Sequence, residues 1–495
     1  MNKNYFYCVL IPLLLCGCSS KNNNSESGND IDDSEAIIKD DVTINFLSMT
    51  DGDYLSVLED IVSGFMKAEP HVKVNIYNPL GTGNYSTLEK YVIAGFFKED
   101  YPDIVQCYPD NVVRYISRGY AVPLDDFLDN KTYGIRNESG SDYIEAFMDE
   151  GSAYDKEGTT YSLPFCKSTE LMYYNEDALL GLDLSDVDGS INNGEALTAE
   201  YLNQLTWEEF FDKLCPAIKE KNDALPADEK IYKDTDSSCI LAVDSDENYF
   251  ITLAHQYGYG YTSVDENGQG SINFDNEEMR ETVKKLRAMK DAKYLQTRGS
   301  YLDYVSELFV NKEALFTISS TAGLAYNIPG KNNEQFSVGV ARIPCAEGHD
   351  YSSINQGPSV CILDHHDDNR SLASYLLWKH ITNETNATKW ALSTGYMGIR
   401  NSSYSSEEYK AALTPGEDAT PYQITESKNF KMVAEVRDFT FNTALFRGSS
   451  NARTNVGKIL KYCLNDEERL EGEELDTYIN RLFKKYSDEA KTHLK

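Results

Sequence analysis

Two carboxylates and a tyrosine lie in loops near the start of the folded chain, where they could bind a polar solute. Asp51 and Asp53 follow an alternating apolar segment that begins at Val42, and Tyr85 ends the run Gly-Thr-Gly-Asn-Tyr. Carboxylate oxygens accept hydrogen bonds from hydroxyl groups, as carbohydrate recognition requires. Tyrosine offers both a ring and a hydroxyl. The aspartates could instead cap turns. All three are therefore candidate ligand contacts.

Patterns for metal binding or catalysis are weak. The segment from Asp186 to Glu195 matches several positions of a calcium loop, but Leu184 stands at the first position and cannot bind a cation. An ordinary Asp-Gly turn is the alternative, and we expect no metal and no cofactor. The chain has no GxSxG, HExxH or P-loop motif. Because Asp and Glu are abundant, a glycosidase that uses two carboxylates remains an alternative.

The candidate contacts must be positioned by an α/β framework. Alternation from Val42 to Phe46 predicts a strand, and the helical spacing of apolar residues from Leu55 to Met66 predicts a helix. Two further strand and helix pairs follow, the second helix with Ser86 as its N-cap. This order predicts a mostly parallel sheet covered by helices. We also predict a helix capped by Thr206 and hairpin turns at residues 155–158 and 265–270.

Length and charge narrow the choice of function. A chain of 495 residues exceeds a single hydrophobic core, which stops growing near about 250 to 300 residues, so two or more lobes are expected. The formal net charge is -34 at pH 7. A surface that acidic repels phosphate backbones, which excludes nucleic acid as a partner.

The N-terminus predicts export and lipid anchoring. Residues 1–18 contain one lysine followed by an apolar run from Tyr5 to Leu15. This run is too short to span a bilayer and is typical of a signal peptide. Leu-Cys-Gly-Cys at its end resembles a lipobox, which implies that Cys18 receives the lipid. Residues 19–42 are polar and predict a disordered tether. The seven later cysteines are odd in number and lack CxxC spacing, which argues against a disulfide framework.

Several short stretches share an order and spacing with a known family. They are FMKAEPHVKVNIY (65–77), YPDIVQ (101–106), SRGYAVPLDDFL (117–128), YSLPFCKSTELMYYNEDAL (161–179), LTWEEFFDKL (205–214), NQGPSVCI (355–362) and STGYMGIRNSSY (393–404). Together they resemble the family 1 extracellular solute-binding proteins of ABC importers. That family includes maltose-binding and glycerol-3-phosphate-binding proteins.

The resemblance implies a two-lobed fold of the type II periplasmic-binding-protein kind, with discontinuous lobes and a hinged cleft. The expected N-terminal lobe comprises residues 43–165 and 352–393, and the C-terminal lobe residues 166–345 and 397–495. The chain should cross between them near residues 163–167, 344–353 and 394–398. A ligand that contacts both lobes would favour the closed state, because only differential binding shifts such an equilibrium.

The resemblance also implies further ligand contacts, which lie at the crossings and at one strand end. They are Lys167, Ser168, Ser319, Ser320, Gln356, Gly357 and Tyr396. Arg447 matches the residue that pairs with phosphate in glycerol-phosphate binders, and Arg453 competes for that role.

The function predicted from these observations is that of a lipid-anchored, non-enzymatic and monomeric solute-binding protein outside the cell membrane. It would deliver a carbohydrate or a polyol phosphate to an ABC transporter permease. A surface carbohydrate-active enzyme and an adhesion lipoprotein without a ligand are the alternatives.

Overall fold

The computed structural model describes residues 36–81, 85–136, 142–301, 303–330 and 335–494. The predicted signal peptide, the Cys18 lipidation site and the tether as far as residue 35 lie outside the described residues. Within the described ranges, no helix combines the length and the apolar character that a bilayer crossing needs.

The strands of the described residues are β1 (Val42–Leu47), β2 (Val72–Tyr77), β3 (Ile104–Cys107), β4 (Leu163–Pro164), β5 (Glu170–Asn175), β6 (Leu241–Val243), β7 (Thr262–Val264), β8 (Gly270–Ile272), β9 (Leu295–Thr297), β10 (Phe316–Ser320), β11 (Val338–Arg342), β12 (Ser353–Ile354), β13 (Ser359–Ile362) and β14 (Thr440–Phe441).

The α-helices are α1 (Gly52–Ala68), α2 (Tyr85–Phe96), α3 (Pro109–Ile116), α4 (Asp125–Leu128), α5 (Glu145–Glu150), α6 (Glu176–Leu179), α7 (Ala199–Leu202), α8 (Cys215–Ala224), α9 (Asp246–Gln256), α10 (Glu277–Asp291), α11 (Arg298–Tyr301), α12 (Ser306–Val310), α13 (Asp368–Ile381), α14 (Glu384–Thr394), α15 (Asn401–Ser405), α16 (Glu407–Ala412), α17 (Pro421–Val436), α18 (Ser449–Asn465) and α19 (Leu475–Thr492). A π-helix at Glu209–Leu214 precedes α8, and short 3₁₀ helices occur at Ile191–Gly194, Thr321–Asn327 and Arg437–Phe439.

The first lobe is built on a five-stranded sheet with the order β2-β1-β3-β13-β4. Strand β1 pairs in parallel with β2 and β3, whereas β13 runs antiparallel to β3 and β4. Helix α13 packs beside β1, and α1 packs beside β2 and α13. The apolar face of α1 includes Leu58, Val62 and Phe65, which are all buried. Burial of this stripe fixes the helix against the sheet.

The second lobe is built on a five-stranded sheet with the order β11-β5-β10-β6-β9. Strand β10 pairs in parallel with β6 and antiparallel with β5. Helices α9, α18 and α19 pack on one another around a core that includes Phe250, Leu460 and Phe483. The two sheets and their helices confirm the predicted α/β class, while the residue boundaries of the lobes stay a prediction.

The predicted βαβαβα order is confirmed in the described residues by β1, α1, β2, α2, β3 and α3. Thr206 is also confirmed as a cap, because its Oγ1 accepts a hydrogen bond from the Glu209 amide at 3.0 Å. The prediction for Ser86 is wrong, since α2 already includes Tyr85. The hairpin at 265–270 joins β7 and β8, but the turn at 155–158 has no flanking strands.

Three chain segments lie side by side where the lobes meet. The Ser168 and Gln356 backbones exchange two hydrogen bonds of 2.9 Å, and the Met397 amide donates to the Lys167 carbonyl at 2.7 Å. Gln356 lies between β12 and β13, so the second segment meets the others a few residues after the expected 344–353. This three-segment layer is the structural link between the two sheets.

The seven cysteines of the described residues, at positions 107, 166, 215, 239, 345, 361 and 463, are unpaired and buried. Burial raises the pKa of the Cys166 thiol well above its ordinary value, because a thiolate would lose its hydration there. These thiols therefore act as small core side chains.

Candidate functional site

A cleft of about 920 Å³ lies between the two lobes. Its walls come from the residues that follow β3 in the first lobe and β6 in the second, together with α18 and the crossing at Gln356. Ligands of open α/β sheets bind beyond the carboxyl ends of strands, because loops and helix N-termini converge there. The cleft occupies this position in both lobes.

The first-lobe wall presents two tyrosines and a carboxylate. The Tyr85 and Tyr108 rings meet edge to face, with centroids 4.7 Å apart. The Tyr108 amide donates to Asn111 Oδ1 at 3.2 Å, which caps α3 and places Asp110 in its first turn. Asp110 is only 8% exposed although it lines the cleft. This wall therefore presents two aromatic rings and a carboxylate hydrogen-bond acceptor to the same cleft.

The second-lobe wall begins where β6 ends. Ser245 caps α9 by accepting from the Asn248 amide at 3.2 Å. Asp246 accepts from Thr297 Oγ1 at 2.6 Å and from the Gly299 amide at 2.7 Å, which ties α9 to α11. Burial raises the pKa of Asp246 to about 6, and it raises the pKa of Asp244 to about 6 as well. Both carboxylates line the cleft, and Asp246 is in addition held in place by its two hydrogen bonds.

Arg453 of α18 brings a cation to the inner end of the cleft. Its Nη1 donates to Asn248 Oδ1, and its Nε lies 3.5 Å from Asp110 Oδ2 of the opposite lobe. Arg453 Nε and Asp110 Oδ1 are buried, and neither finds a hydrogen-bond partner within the described part of the chain. A buried donor and a buried acceptor that both lack partners are costly unless a ligand satisfies them.

The outer end of the cleft is more open and carries charges of both signs. The Arg298 guanidinium lies 4.4 Å from the ring centroid of Tyr304, which is 56% exposed. Lys458 and Lys461 lie on the same side, near Glu489 and Glu467 respectively. The cleft lining therefore contains both acidic and basic groups, and neither sign dominates.

Among the predicted contacts, the structure brings Tyr85 and Gln356 to the cleft wall. Tyr396 lies directly behind them and stacks on Trp390, with centroids 6.2 Å apart. Burial raises the pKa of Tyr396 well above its usual range, and the Cys166, Tyr108 and Tyr54 groups nearby add to the effect.

Gly357 supports the crossing through its backbone rather than through a side chain. Its φ of +97° lies in the left-handed region, and a Cβ there would come within 1.9 Å of the Cys166 carbonyl oxygen. Only glycine fits this position. The Gly357 backbone also lies close enough to the Tyr108 hydroxyl to lower its pKa, against the larger effect of burial.

The structure places Lys167 inside the protein. Its side chain is fully buried, and its ammonium pairs with the Glu150 carboxylate and lies 3.4 Å from the Gly357 carbonyl oxygen. Ser168 is also buried and joins Gln356 through backbone hydrogen bonds. The Lys167 ammonium is thus engaged by the crossing and does not line the cleft.

The remaining predicted contacts lie outside the cleft lining. Asp51 and Asp53 are exposed at the start of α1, and Ser320 caps the helix at Thr321–Asn327. Ser319 is buried at the end of β10. Arg447 is exposed before α18 begins, so the competing Arg453 is the arginine that the structure brings to the cleft.

The cleft-lining residues that sequence reasoning missed include Tyr108, Asp110, Asp244, Asn248, Arg298 and Tyr304. Some signal existed, because Tyr108 and Asp110 directly follow the apolar run Ile-Val-Gln-Cys, and Asp244 directly follows Leu-Ala-Val. The calcium-loop match has no support here. Asp186 pairs with Lys221 at 2.7 Å, and the described ranges contain no cluster of three acidic, His or Cys residues suited to a metal.

A family model for bacterial extracellular solute-binding proteins matches residues 61–415, which is well over half of the chain. The chain belongs to this family. Its function is therefore that of the extracytoplasmic solute-binding component of an ABC importer. A comparison with curated protein sequences finds no match to this chain.

Solved structures share the two-lobed fold of this solute-binding protein. UgpB from Mycobacterium tuberculosis, in complex with glycerophosphocholine, has a TM-score of 0.67 at 15% identity and covers 91% of this chain and 98% of its own. The acarbose-binding GacH receptor of Streptomyces glaucescens has a TM-score of 0.64 at 15% identity, with coverage of 91% and 98%. Lmo0181 from Listeria monocytogenes, in complex with cycloalternan, has a TM-score of 0.65 at 14% identity, with coverage of 92% and 99%. These similarities confirm the predicted fold.

Proposed function

We propose that this solute-binding protein captures a neutral carbohydrate in its interlobe cleft and presents it to an ABC permease. The observation that carries the proposal is the pair formed by Arg453 Nε and Asp110 Oδ1, which are buried without hydrogen-bond partners in the described structure. A sugar hydroxyl accepts from a guanidinium and donates to a carboxylate, so adjacent hydroxyls satisfy both atoms.

The charge around Arg453 argues against the polyol-phosphate alternative. The Asp110 carboxylate lies 3.5 Å from Arg453 Nε, and Glu247 lines the same cleft. A phosphate placed there would meet like charge and lose much of the attraction of the arginine. Arg447, the other candidate for phosphate, is exposed outside the cleft. Neutral hydroxyls fit this mixture of acceptors and donors better.

Size and surface chemistry agree with a saccharide. The cleft volume of about 920 Å³ lies near the upper end of the range of about 300 to 1,000 Å³ that is usual for ligand sites. The tyrosines Tyr85, Tyr108 and Tyr304 supply the ring faces of the lining, and no tryptophan is found among the described residues that line the cleft. Closure of the lobes around the sugar would be the signal that the permease reads.

Membrane attachment is a second part of the proposal. Lipidation of Cys18, at the end of the predicted signal peptide, would hold the monomeric two-lobed protein near its permease. One acyl chain alone binds membranes only marginally, so a diacylglycerol anchor is the chemistry that stable attachment needs.

Isothermal titration calorimetry tests the ligand class. The protein is titrated with glucose, maltose, maltotriose, sucrose, lactose and raffinose, and separately with glycerol 3-phosphate and glucose 6-phosphate. We expect saturable binding of a neutral sugar that chromatography recovers unaltered. Binding of phosphate esters alone would contradict the proposal, and formation of a product would favour the glycosidase alternative.

A further inference from the structure

Asn248 connects the polar groups at the inner end of the cleft. It lies in the first turn of α9 and is only 5% exposed. Its Oδ1 accepts from Arg453 Nη1, and its Nδ2 donates to Gln356 Oε1. The two bonded residues both line the cleft, one from α18 and the other from the second crossing. A single amide therefore holds two cleft residues that are far apart in sequence.

The two bonds use opposite ends of the amide. The oxygen accepts from Arg453, and the nitrogen donates to Gln356. Because the donor and acceptor ends are not interchangeable, neither an apolar residue nor a carboxylate can hold both partners together. The buried Glu170 carboxyl, at the start of β5 just after the first crossing, lies close enough for Asn248 to lower its pKa, against the larger effect of burial.

We propose that Asn248 is the positioning residue of the cleft, which fixes the Arg453 guanidinium opposite Asp110 and at the same time couples it to the crossing at Gln356. This inference rests on the proposed function of the cleft and specifies how ligand binding is transmitted to the crossing segments. A sugar hydroxyl that hydrogen-bonds Arg453 would affect Gln356 through the hydrogen bonds of Asn248. The backbone of Gln356 is paired with Ser168 of the neighbouring crossing.

The first test needs no ligand. Amide hydrogen exchange over residues 354–358 is compared between the wild-type protein, Asn248→Ala and Asn248→Asp. Both variants remove the donor to Gln356, so we expect exchange there to rise at least tenfold. Asn429→Ala is the matched control, because Asn429 is a fully buried second-lobe asparagine that binds Tyr173 and does not line the cleft. Unchanged exchange in both Asn248 variants would overturn the coupling to the crossing.

The second test is a double-mutant cycle on affinity for the saccharide that binds most tightly in the calorimetric series. Asn248→Ala should weaken binding at least tenfold in the wild-type background and by less than twofold when Arg453 is already Ala, because one residue acts through the other. Equal losses in both backgrounds would overturn the positioning role. If no saccharide binds the wild-type protein, the proposed function fails, and the exchange measurement still decides whether Asn248 couples to the crossing.

Discussion

Arg453 and Asp110 face each other across the two lobes, with Nε and Oδ2 separated by 3.5 Å. Each residue lies close to the N-terminus of its own helix, and each has a buried polar atom that makes no hydrogen bond in the described structure. Solute-binding proteins close when a ligand stabilises contacts between lobes. Under the proposed function, this pair is the place where the bound solute contacts both lobes and so favours closure.

Replacement of Arg453 by Ala should weaken sugar binding by about 10- to 150-fold, the range that hydrogen bonds to charged groups of about 1.5 to 3 kcal/mol imply. Arg447→Ala is the matched control, since that side chain is exposed outside the cleft and should leave affinity unchanged. Calorimetry on both variants measures the difference. Equal affinities for the two would show that Arg453 does not contact the sugar.

Replacement of Lys167 by Met should destabilise the fold by about 3 to 5 kcal/mol, because Glu150 is left as a buried charge without its cation. Urea unfolding followed by circular dichroism measures the change. The double variant with Glu150→Gln should recover part of the loss. An exposed pair serves as the control, so Lys410→Met should leave the unfolding midpoint unchanged. An unaltered midpoint for Lys167→Met would contradict the structural role.

Replacement of Gly357 by Ala should lower both stability and affinity. The new Cβ would meet the Cys166 carbonyl oxygen at 1.9 Å, and the backbone φ of +97° disfavours any L side chain. We expect a cost of at least about 1 to 3 kcal/mol in thermal unfolding. Gly416→Ala is a suitable control, because no atom lies within 4 Å of its added Cβ. Similar melting temperatures for the two variants would argue against the tight crossing.

Glu170 should make stability depend on pH. Burial raises the pKa of Glu170 from 4.5 to about 8. The negative charges of Asp244 and Glu247 add to this increase, whereas Asn248 and the positive charge of Arg453 reduce it. The folded state therefore holds a proton that the unfolded state releases. Its contribution is fully present below pH 4.5 and is lost as pH rises through about 8. Asp244 and Asp246, whose pKa values burial raises to about 6, contribute in the same sense at lower pH. Glu170→Gln should therefore reduce the fall in melting temperature mainly between about pH 6 and pH 8, and a fall as steep as that of the wild type would refute this assignment.

The predicted anchor can be tested in cells that express the full chain. Radiolabelled palmitate should be incorporated into the wild-type protein and not into Cys18→Ser, and the variant should leave the membrane fraction. Cys16→Ser is a neighbouring control that should keep the label. Label retained in Cys18→Ser would place the lipid elsewhere.

Local sequence patterns were sufficient to predict the helices and strands, but they did not show which distant residues contact one another. The alternation from Val42 and the helical spacing from Leu55 predicted β1 and α1, because burial of one face requires those periods. The start of α2 was misplaced, since Ser86 has the chemistry of a cap but lies inside the helix. The family resemblance supplied the two-lobed arrangement, which no local pattern specifies.

The residues of the cleft were likewise predicted from the sequence only in part. Tyr85 and Gln356 line the cleft, whereas Lys167 is drawn inward by Glu150, a residue 17 positions away that no sequence motif links to it. Arg453 reaches the cleft because α18 begins at Ser449 and turns that side chain toward α9, which leaves Arg447 in the preceding loop. The contacts of Asn248 join residues up to 205 positions apart, and such pairs depend on tertiary packing.

A crystal structure of the protein with its tightest-binding saccharide tests the central claim most directly. The account predicts sugar hydroxyls within hydrogen-bond distance of both Asp110 Oδ1 and Arg453 Nε, with a ring against Tyr85 or Tyr108. A saccharide bound elsewhere, or one that leaves both atoms without contact, would contradict it.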